Sequence, residues 1–231
     1  MIVQDQASSD TFFVIDFDRC LSDTDRIDEV YYDLVEKHPD LDADYLREQR
    51  ARTEDNGGSF NQITELQKKL SPEEIKLFFE NFIQDGLTHD LLAYGARDFL
   101  HALDEHRIAY GIVSYGHPDW QTVKIKASGL AVIPALIIDH SHKGEVIASW
   151  QQTDKSFVIP PALTMIDSSV RVKHVVLLDD KAGAFGQLPK EARGYWIKSV
   201  TRSLLPSQQG SIPDNVKTAH GFDEVRKSEA L

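Results

Sequence analysis

Cysteine is almost absent from this chain. Cys20 is the single cysteine in 231 residues, so no disulfide can form within the chain. Disulfide frameworks are typical of small secreted domains, and their exclusion here favours a reducing compartment. The sequence also has no apolar run near the ~18 residues that suggest a membrane span. Residues 1–10 have no basic segment followed by an apolar stretch, the pattern of a signal peptide. We therefore expect a cytoplasmic protein that does not associate with membranes.

Basic residues are also fewer than acidic residues. The chain has 25 lysines and arginines against 37 acidic residues, which gives a formal net charge of −12. Such a surface repels nucleic acid and anionic lipid, so neither is expected as a partner. A small anionic substrate remains possible, because a bound cation can reverse the local field. The hydrophobic fraction of 41% is enough for one sizeable core and a smaller accessory domain.

Short apolar runs predict the strands of a sheet. Five of them are rich in β-branched or aromatic residues, as strands buried on both faces of a parallel sheet are. They cover residues 12–15, 108–113, 135–138, 175–178 and 195–197. Helical patterns at 96–106 and 120–127 separate several of these runs. This alternation predicts an α/β fold with a doubly wound, mostly parallel, Rossmann-like sheet.

From about residue 25 to residue 86 the sequence shows helical patterns and no strand. Ile27, Val30 and Leu34 fall on one helical face, and residues 42–52 predict a second helix. Residues 71–74 read Ser-Pro-Glu-Glu, a helix start with a capping box. We predict a helical domain over residues 22–90, inserted into a core formed by residues 1–21 and 91–231.

Two stretches have weaker signals. Residues 142–145 resemble a hairpin turn between short apolar pairs at 137–138 and 146–147. The chain after residue 198 contains Pro206, Gly210 and Pro213, which indicate a surface loop before a short terminal helix.

Polar side chains follow three of the predicted strands. Asp16 and Asp18 follow the first, Ser114 ends the second, and Asp179 and Asp180 follow the fourth. Ligands bind at the carboxyl ends of strands in open α/β sheets, and side chains two apart on an extended segment point the same way. Adjacent acids are costly to bring together without a cation, and Mg²⁺ prefers carboxylate oxygens. Each feature alone is also compatible with a solvated loop; together they predict a site.

Lys155 lies one helix-sized segment before the last acidic strand. A lysine there is most often solvated surface, but this one could neutralise the carboxylates and a phosphate. Other polar residues favour simpler interpretations. Cys20 has no identifiable activating base and is expected to pack, His117 precedes Pro118 at a helix start, and His140 and His142 lie on the predicted hairpin.

Taken in order, these motifs resemble those of the haloacid-dehalogenase-like (HAD) superfamily, in its phosphatase type with a helical type-1 cap. The motifs are residues 12–21, residues 112–114, Lys155 and residues 175–180, and the helical insert falls where that cap does. Two departures stand out. Phosphatases of this group usually have Gly-Thr where this chain has Arg19-Cys20, and Lys155 lacks the commonest Lys-Pro context, which leaves Lys126 and Lys143 as alternatives.

The resemblance implies a role for each motif residue. Asp16 would attack phosphorus and form an aspartyl-phosphate, while Asp18 would act as general acid and then base. Ser114 and Lys155 would bind the phosphoryl oxygens. Mg²⁺ would be held by Asp16, by Asp179 and by the backbone carbonyl of Asp18, with Asp180 orienting the metal's ligands.

The expected function is therefore Mg²⁺-dependent hydrolysis of a phosphomonoester. The insert is tethered beside the nucleophile strand, so we expect it to act as a lid and the substrate to be a small phosphometabolite. A phosphomutase shares all four motifs and is the first alternative. A non-catalytic binding protein on the same fold is the second, because of Arg19-Cys20. Carbon–halogen hydrolysis would not need Asp18.

Overall fold

The computed structural model describes residues 10–55, 60–164, 166, 168–198 and 210–231. Its strands are β1 (Thr11–Ile15), β2 (Ala109–Tyr115), β3 (Ala135–Ile138), β4 (Phe157–Ile159), β5 (Val170–Val172), β6 (His174–Asp179), β7 (Arg193–Ile197) and β8 (Val216–Ala219). Its helices are α1 (Thr24–Lys37), α2 (Ala43–Asp55), α3 (Gln62–Leu66), α4 (Pro72–Leu87), α5 (Ala96–Glu105), α6 (Pro118–Ala127), α7 (Lys143–Trp150) and α8 (Phe222–Glu229). No helix among the described residues is long and apolar enough to cross a bilayer.

Six strands form one parallel sheet in the order β3-β2-β1-β6-β7-β8. The order confirms the predicted α/β fold and places β1 between the two other strands that carry polar ends. Ile15 of β1 is aligned with Ile112 on one side and Leu178 on the other. Because neighbouring parallel strands end at the same edge, the residues that follow them are brought together.

Apolar side chains bury both faces of this sheet, since successive residues of a strand point to opposite sides. Phe12 and Val14 belong to the core cluster that contains Ile147 and Trp150 of α7. The intervening Phe13 meets Phe99 of α5, with ring centroids 5.8 Å apart. The sheet is therefore covered by helices on both sides, as the apolar runs predicted.

The chain divides into two compact units. One contains the six-stranded sheet with α5, α7 and α8; the other consists of Asp23–Leu91 and Gly116–Ala131, and therefore holds α1 to α4 and α6. The second unit has an aromatic core, in which the rings of Tyr31 and Trp120 lie 5.2 Å apart. Its helix α4 begins with the predicted capping box between Ser71 and Glu74. The predicted insert, residues 22–90, overlaps the first segment of this unit; the inclusion of α6 was not predicted.

Three local predictions need correction. The hairpin turn predicted at residues 142–145 is wrong, because α7 begins at Lys143. The helix-sized segment after Lys155 instead contains β4 and β5, which form an antiparallel pair. The tail contains the additional strand β8 before the expected short helix α8. Residues 1–9 and the loop predicted around Pro206 lie outside the described residues.

Candidate functional site

Three buried carboxylates meet at the carboxyl edge of the sheet. Asp16 follows β1, and its N–H donates to the carbonyl of Leu178 on the adjacent strand at 2.9 Å. Asp179 is the last residue of β6 and Asp180 comes next. One oxygen from each of the three carboxylates lies within 4.8 Å of the others, and all three residues are buried. The sequence predicted this convergence from the strand ends.

A buried lysine bridges two of these carboxylates. The Nζ of Lys143 donates to Asp16 Oδ1 at 2.7 Å and to Asp179 Oδ2 at 2.6 Å, and its side chain is only 3% exposed. Lys143 is the first residue of α7, so the start of this helix lies at the site. Lys143 therefore lies beside the carboxylates, where Lys155 was predicted to lie.

The structure does not bring Lys155 to the carboxylates. Its side chain is 73% exposed, and its Nζ lies 2.8 Å from Oε1 of Glu191. Lys126, the other alternative, is exposed on α6. Of the three lysines considered, only Lys143 contacts Asp16 or Asp179.

A close backbone contact fixes the start of α7. A Cβ added to Gly144 would lie 2.2 Å from the carbonyl oxygen of Gly186 and 2.9 Å from the amide nitrogen of Leu188. Glycine is needed at this position because the helix rests directly on the loop that follows β6. This loop and Asp179 belong to the same chain segment, so the contact sets Lys143 against its partners.

Opposing electrostatic effects act on this pair. Burial raises the pKa of Asp16 to about 6, although the ammonium of Lys143 favours the ionised form. Burial disfavours the charged form of Lys143, but Asp16 and Asp179 more than offset it and the pKa of Lys143 is raised. At neutral pH Asp16 is therefore mainly a carboxylate and Lys143 an ammonium, which are the charge states that the resemblance implies.

Ser114 contributes a hydroxyl with unused hydrogen-bonding capacity. It lies near the end of β2, next to β1, and is 1% exposed. Its Oγ has no hydrogen-bond partner among the described residues. A buried polar atom without a partner is costly, and a ligand that supplies one is a common explanation.

The loop after Asp16 folds back on itself. The N–H of Leu21 donates to the carbonyl of Asp16 at 3.2 Å, and the N–H of Ser22 donates to that of Phe17 at 2.9 Å. Within the loop, Asp18 is partly buried and Arg19 has a φ of 61°. This left-handed conformation costs a non-glycine residue roughly 1 kcal/mol or more, so the arginine occupies a position suited to the glycine that the resemblance led us to expect.

Cys20 and the histidines keep the simpler interpretations. Cys20 is buried, and burial together with Asp16 raises the pKa of its thiol well above the usual value, so the thiol stays protonated and unreactive. His140 is partly exposed and His142 is exposed; both precede α7, and neither belongs to the acidic group described above. His117 directly precedes α6.

Lys181 is a second lysine at this edge that the sequence analysis missed. Its backbone N–H donates to Asp179 Oδ1 at 2.8 Å, and its side chain is partly buried. The only available signal was its position directly after the two acids.

The donor set suits a hard divalent cation. Asp16, Asp179 and Asp180 offer carboxylate oxygens, the ligands that Mg²⁺ and Ca²⁺ take. Their spacing is compatible with a single ion, and the three buried acids carry more negative charge than Lys143 alone can offset. These residues therefore fit a metal; its identity is part of the proposal below.

Comparisons with known proteins agree with this geometry. No family model and no curated protein matches the chain. Solved structures do: a candidate haloacid dehalogenase-like hydrolase from Burkholderia xenovorans LB400 matches with a TM-score of 0.61 and 18% identity, over 96% of this chain and 97% of its own. A HAD phosphatase from Thermococcus onnurineus matches with a TM-score of 0.56 and 14% identity, over 95% and 97%. A candidate HAD hydrolase from Bacillus subtilis, bound to magnesium, matches with a TM-score of 0.53 and 14% identity, over 96% and 99%.

The chain thus has the fold of the haloacid-dehalogenase-like hydrolases, which confirms the fold expected from the motifs. At such low identity the likeness establishes the fold alone, and the activity has to be argued from the site.

Proposed function

We propose that this protein is a Mg²⁺-dependent phosphomonoester hydrolase with Asp16 as its nucleophile. The observation that carries the proposal is the contact of Lys143 with both Asp16 and Asp179 at the carboxyl edge of the sheet. Asp16 is a buried carboxylate beside an ammonium and a second acid, and the hydroxyl of Ser114 has no partner among the described residues. This arrangement is suited to attack on an anionic centre. The neighbours named as a phosphatase and as a magnesium-bound hydrolase support this choice.

Each step uses a residue of this chain. An oxygen of Asp16 forms a bond to phosphorus as the bond from phosphorus to the leaving oxygen breaks, and Asp18 gives its proton to that oxygen. Asp18 then takes a proton from a water molecule that attacks phosphorus, which frees Asp16 and releases inorganic phosphate. Ser114 and Lys143 donate hydrogen bonds to the phosphoryl oxygens throughout.

Asp16, Asp179 and Asp180 would hold the metal ion. Mg²⁺ would supply positive charge that offsets the charge on the transferring group and shields it from the carboxylates. This role explains why acids are gathered where an anion has to bind. Ca²⁺ should bind and inhibit, because its larger and looser coordination misplaces nucleophile and phosphate.

The substrate class is part of the proposal. We expect a small phosphorylated metabolite, since the net charge of −12 disfavours nucleic acid. A panel of phosphometabolites assayed beside phosphopeptides tests this point. A clear preference for the peptides would contradict the substrate class but leave the chemistry intact.

The central experiment is a phosphate-release assay with a generic aryl phosphate and a set of sugar phosphates, with Mg²⁺ or with chelator. Release of phosphate in Mg²⁺ alone is expected. Conversion of a sugar phosphate to its isomer without release would identify a phosphomutase instead. Absence of any turnover on a broad panel, by protein shown to bind Mg²⁺, would favour a binding protein.

A further inference from the structure

Lys181 lies beside the acidic cluster, and its ammonium has no partner among the described residues. Its backbone is anchored by the 2.8 Å hydrogen bond to Asp179 Oδ1, so the residue is held at the site. Its side chain, however, forms no ion pair or hydrogen bond with any residue in the described ranges. Lys143 differs, because two of its three N–H groups already bind carboxylates.

The side chain of Lys181 nevertheless lies in the field of the acidic cluster. Lys181 directly follows Asp179 and Asp180, and its partly buried side chain is attracted by the charges of Asp16, Asp180 and Asp179. The ammonium therefore lies within electrostatic reach of the proposed nucleophile, and it forms no ion pair with Asp16 among the described contacts.

The topology places Lys181 and Ser114 on opposite sides of that nucleophile. Ser114 is on β2 and Lys181 follows β6, while β1, which leads into Asp16, runs between them. The hydroxyl of Ser114 is likewise without a partner among the described residues. Two groups with free donors thus flank the carboxylate that would attack phosphorus.

The charges of the acids, of Lys143 and of a bound divalent ion indicate a role for the charge of Lys181. Asp16, Asp179 and Asp180 contribute three negative charges. Lys143 and a divalent ion would cancel them. A dianionic phosphoryl group would then meet no net positive charge from these groups, and Lys181 supplies the next one.

We propose that Lys181 is a second cationic contact for the phosphoryl group, opposite Ser114. This inference rests on the proposed function, because it assigns a ligand to the same site. A lysine acting as a point charge is a common phosphate contact. The group would be held by Ser114 on one side, by Lys181 on the other and by the remaining N–H of Lys143.

The test is a calorimetric titration of the full-length protein with inorganic phosphate in saturating Mg²⁺. Lys181→Gln should weaken phosphate binding about tenfold or more, as expected for loss of a charge-assisted contact. Lys181→Arg should recover much of that loss. Lys173→Gln is the matched control, because Lys173 is an exposed lysine paired with Asp10, and it should bind phosphate like the parent.

Mg²⁺ affinity, titrated separately, distinguishes this role from charge balance within the protein. A lysine that only offsets the acids would change Mg²⁺ binding and leave phosphate binding in saturating Mg²⁺ unaltered, which would overturn the inference. Lys181→Met provides the same comparison should the glutamine variant fail to fold. A parent that binds phosphate but hydrolyses no ester would refute the proposed function while leaving this measurement valid. A parent that binds no phosphate in Mg²⁺ would refute the inference itself.

Discussion

At the scale of single residues, the contact of Lys143 with two buried carboxylates dominates the site. Burying charges is expensive, and the 2.7 and 2.6 Å hydrogen bonds offset that cost only as long as both partners are present. Removing one partner from a buried ion pair costs about 3–5 kcal/mol. We therefore expect this lysine to matter for stability as well as for catalysis.

Lys143→Ala and Lys155→Ala together test which of the two lysines acts at the site. The first removes the buried ammonium, and we expect turnover to fall by about 10²-fold or more, a usual cost for a lost electrostatic contact. The second removes an exposed side chain paired with Glu191, and turnover should be unchanged. Steady-state rates on one phosphoester decide between them. Equal activities in the two variants would contradict the assignment of Lys143.

Substitutions of the two aspartates test the chemistry directly. Asp16→Asn should abolish turnover, because an amide is a poor nucleophile. Asp18→Asn should lower it by about 10²–10⁴-fold, the usual contribution of general acid–base catalysis. Single-turnover assays with labelled phosphoester would also detect the phosphorylated Asp16. Near-normal turnover by Asp16→Asn would exclude the covalent route.

The residues that sequence identified share one property, which is their position at the carboxyl end of a buried strand. Asp16, Ser114 and Asp179 could be placed because the ends of parallel strands meet at one edge. Lys143 could not, since it begins a short helix whose approach to the site depends on packing. Gly144 and the β-branched residues after it lower helix propensity, so the local signal at α7 favoured a hairpin.

At the scale of elements, the junction between α7 and the loop after β6 has no room for a side chain at Gly144. The added Cβ would overlap the backbone of Gly186, which cannot move as a flexible side chain could. Displacement of α7 would carry Lys143 away from Asp16. The helix, the loop and the ion pair are therefore mechanically linked.

Gly144→Ala should lower both stability and turnover, because α7 has to shift. We expect a loss of about 1–3 kcal/mol in the free energy of unfolding, the usual cost of overpacking. Gly183→Ala is the control, since a Cβ there meets no atom within 4 Å. Denaturant unfolding and rates on both variants give the comparison. Parent-like behaviour of Gly144→Ala would show that the contact tolerates displacement.

Among the elements, the strands with continuous apolar runs were the predictable ones. β1 and β6 lie in the middle of the sheet and show continuous apolar runs. β4 and β5 have three residues each, and β8 is an edge strand with two exposed residues between two buried ones. Such short or peripheral strands form because of partners distant in sequence, so their own residues carry little signal.

At the scale of the whole molecule, the net charge of −12 and the acidic cluster both favour a cation on the folded state. The unfolded chain separates Asp16 from Asp179 and Asp180, so the ion should bind the native form selectively. Binding of this kind stabilises by mass action.

Mg²⁺ should therefore raise the thermal midpoint of unfolding. At about 100 times the dissociation constant the gain is about 2.7 kcal/mol. Asp180→Asn should reduce this gain, whereas a sodium salt at the same ionic strength should not reproduce it. Calorimetric scans with and without the ion provide the measurement. An identical midpoint in Mg²⁺ and in chelator would argue against a metal at this cluster.

Helix α6 determines which segments would have to be exchanged together in a chimaera of this chain and another protein of the same fold. The chain leaves the sheet-containing unit after Ser22 and returns to it at Leu92, and these two residues form a β-bridge. Because the two ends are adjacent, residues 23–91 resemble an insert that could be replaced as one piece. Yet Trp120 of α6 packs on Tyr31, and Ala127 leaves no space beside Gly86 of α4. A transplant of residues 23–91 alone would strip α6 of its partners and expose a tryptophan. The compact unit therefore consists of two separate segments, and a functional chimaera would have to carry residues 116–131 as well.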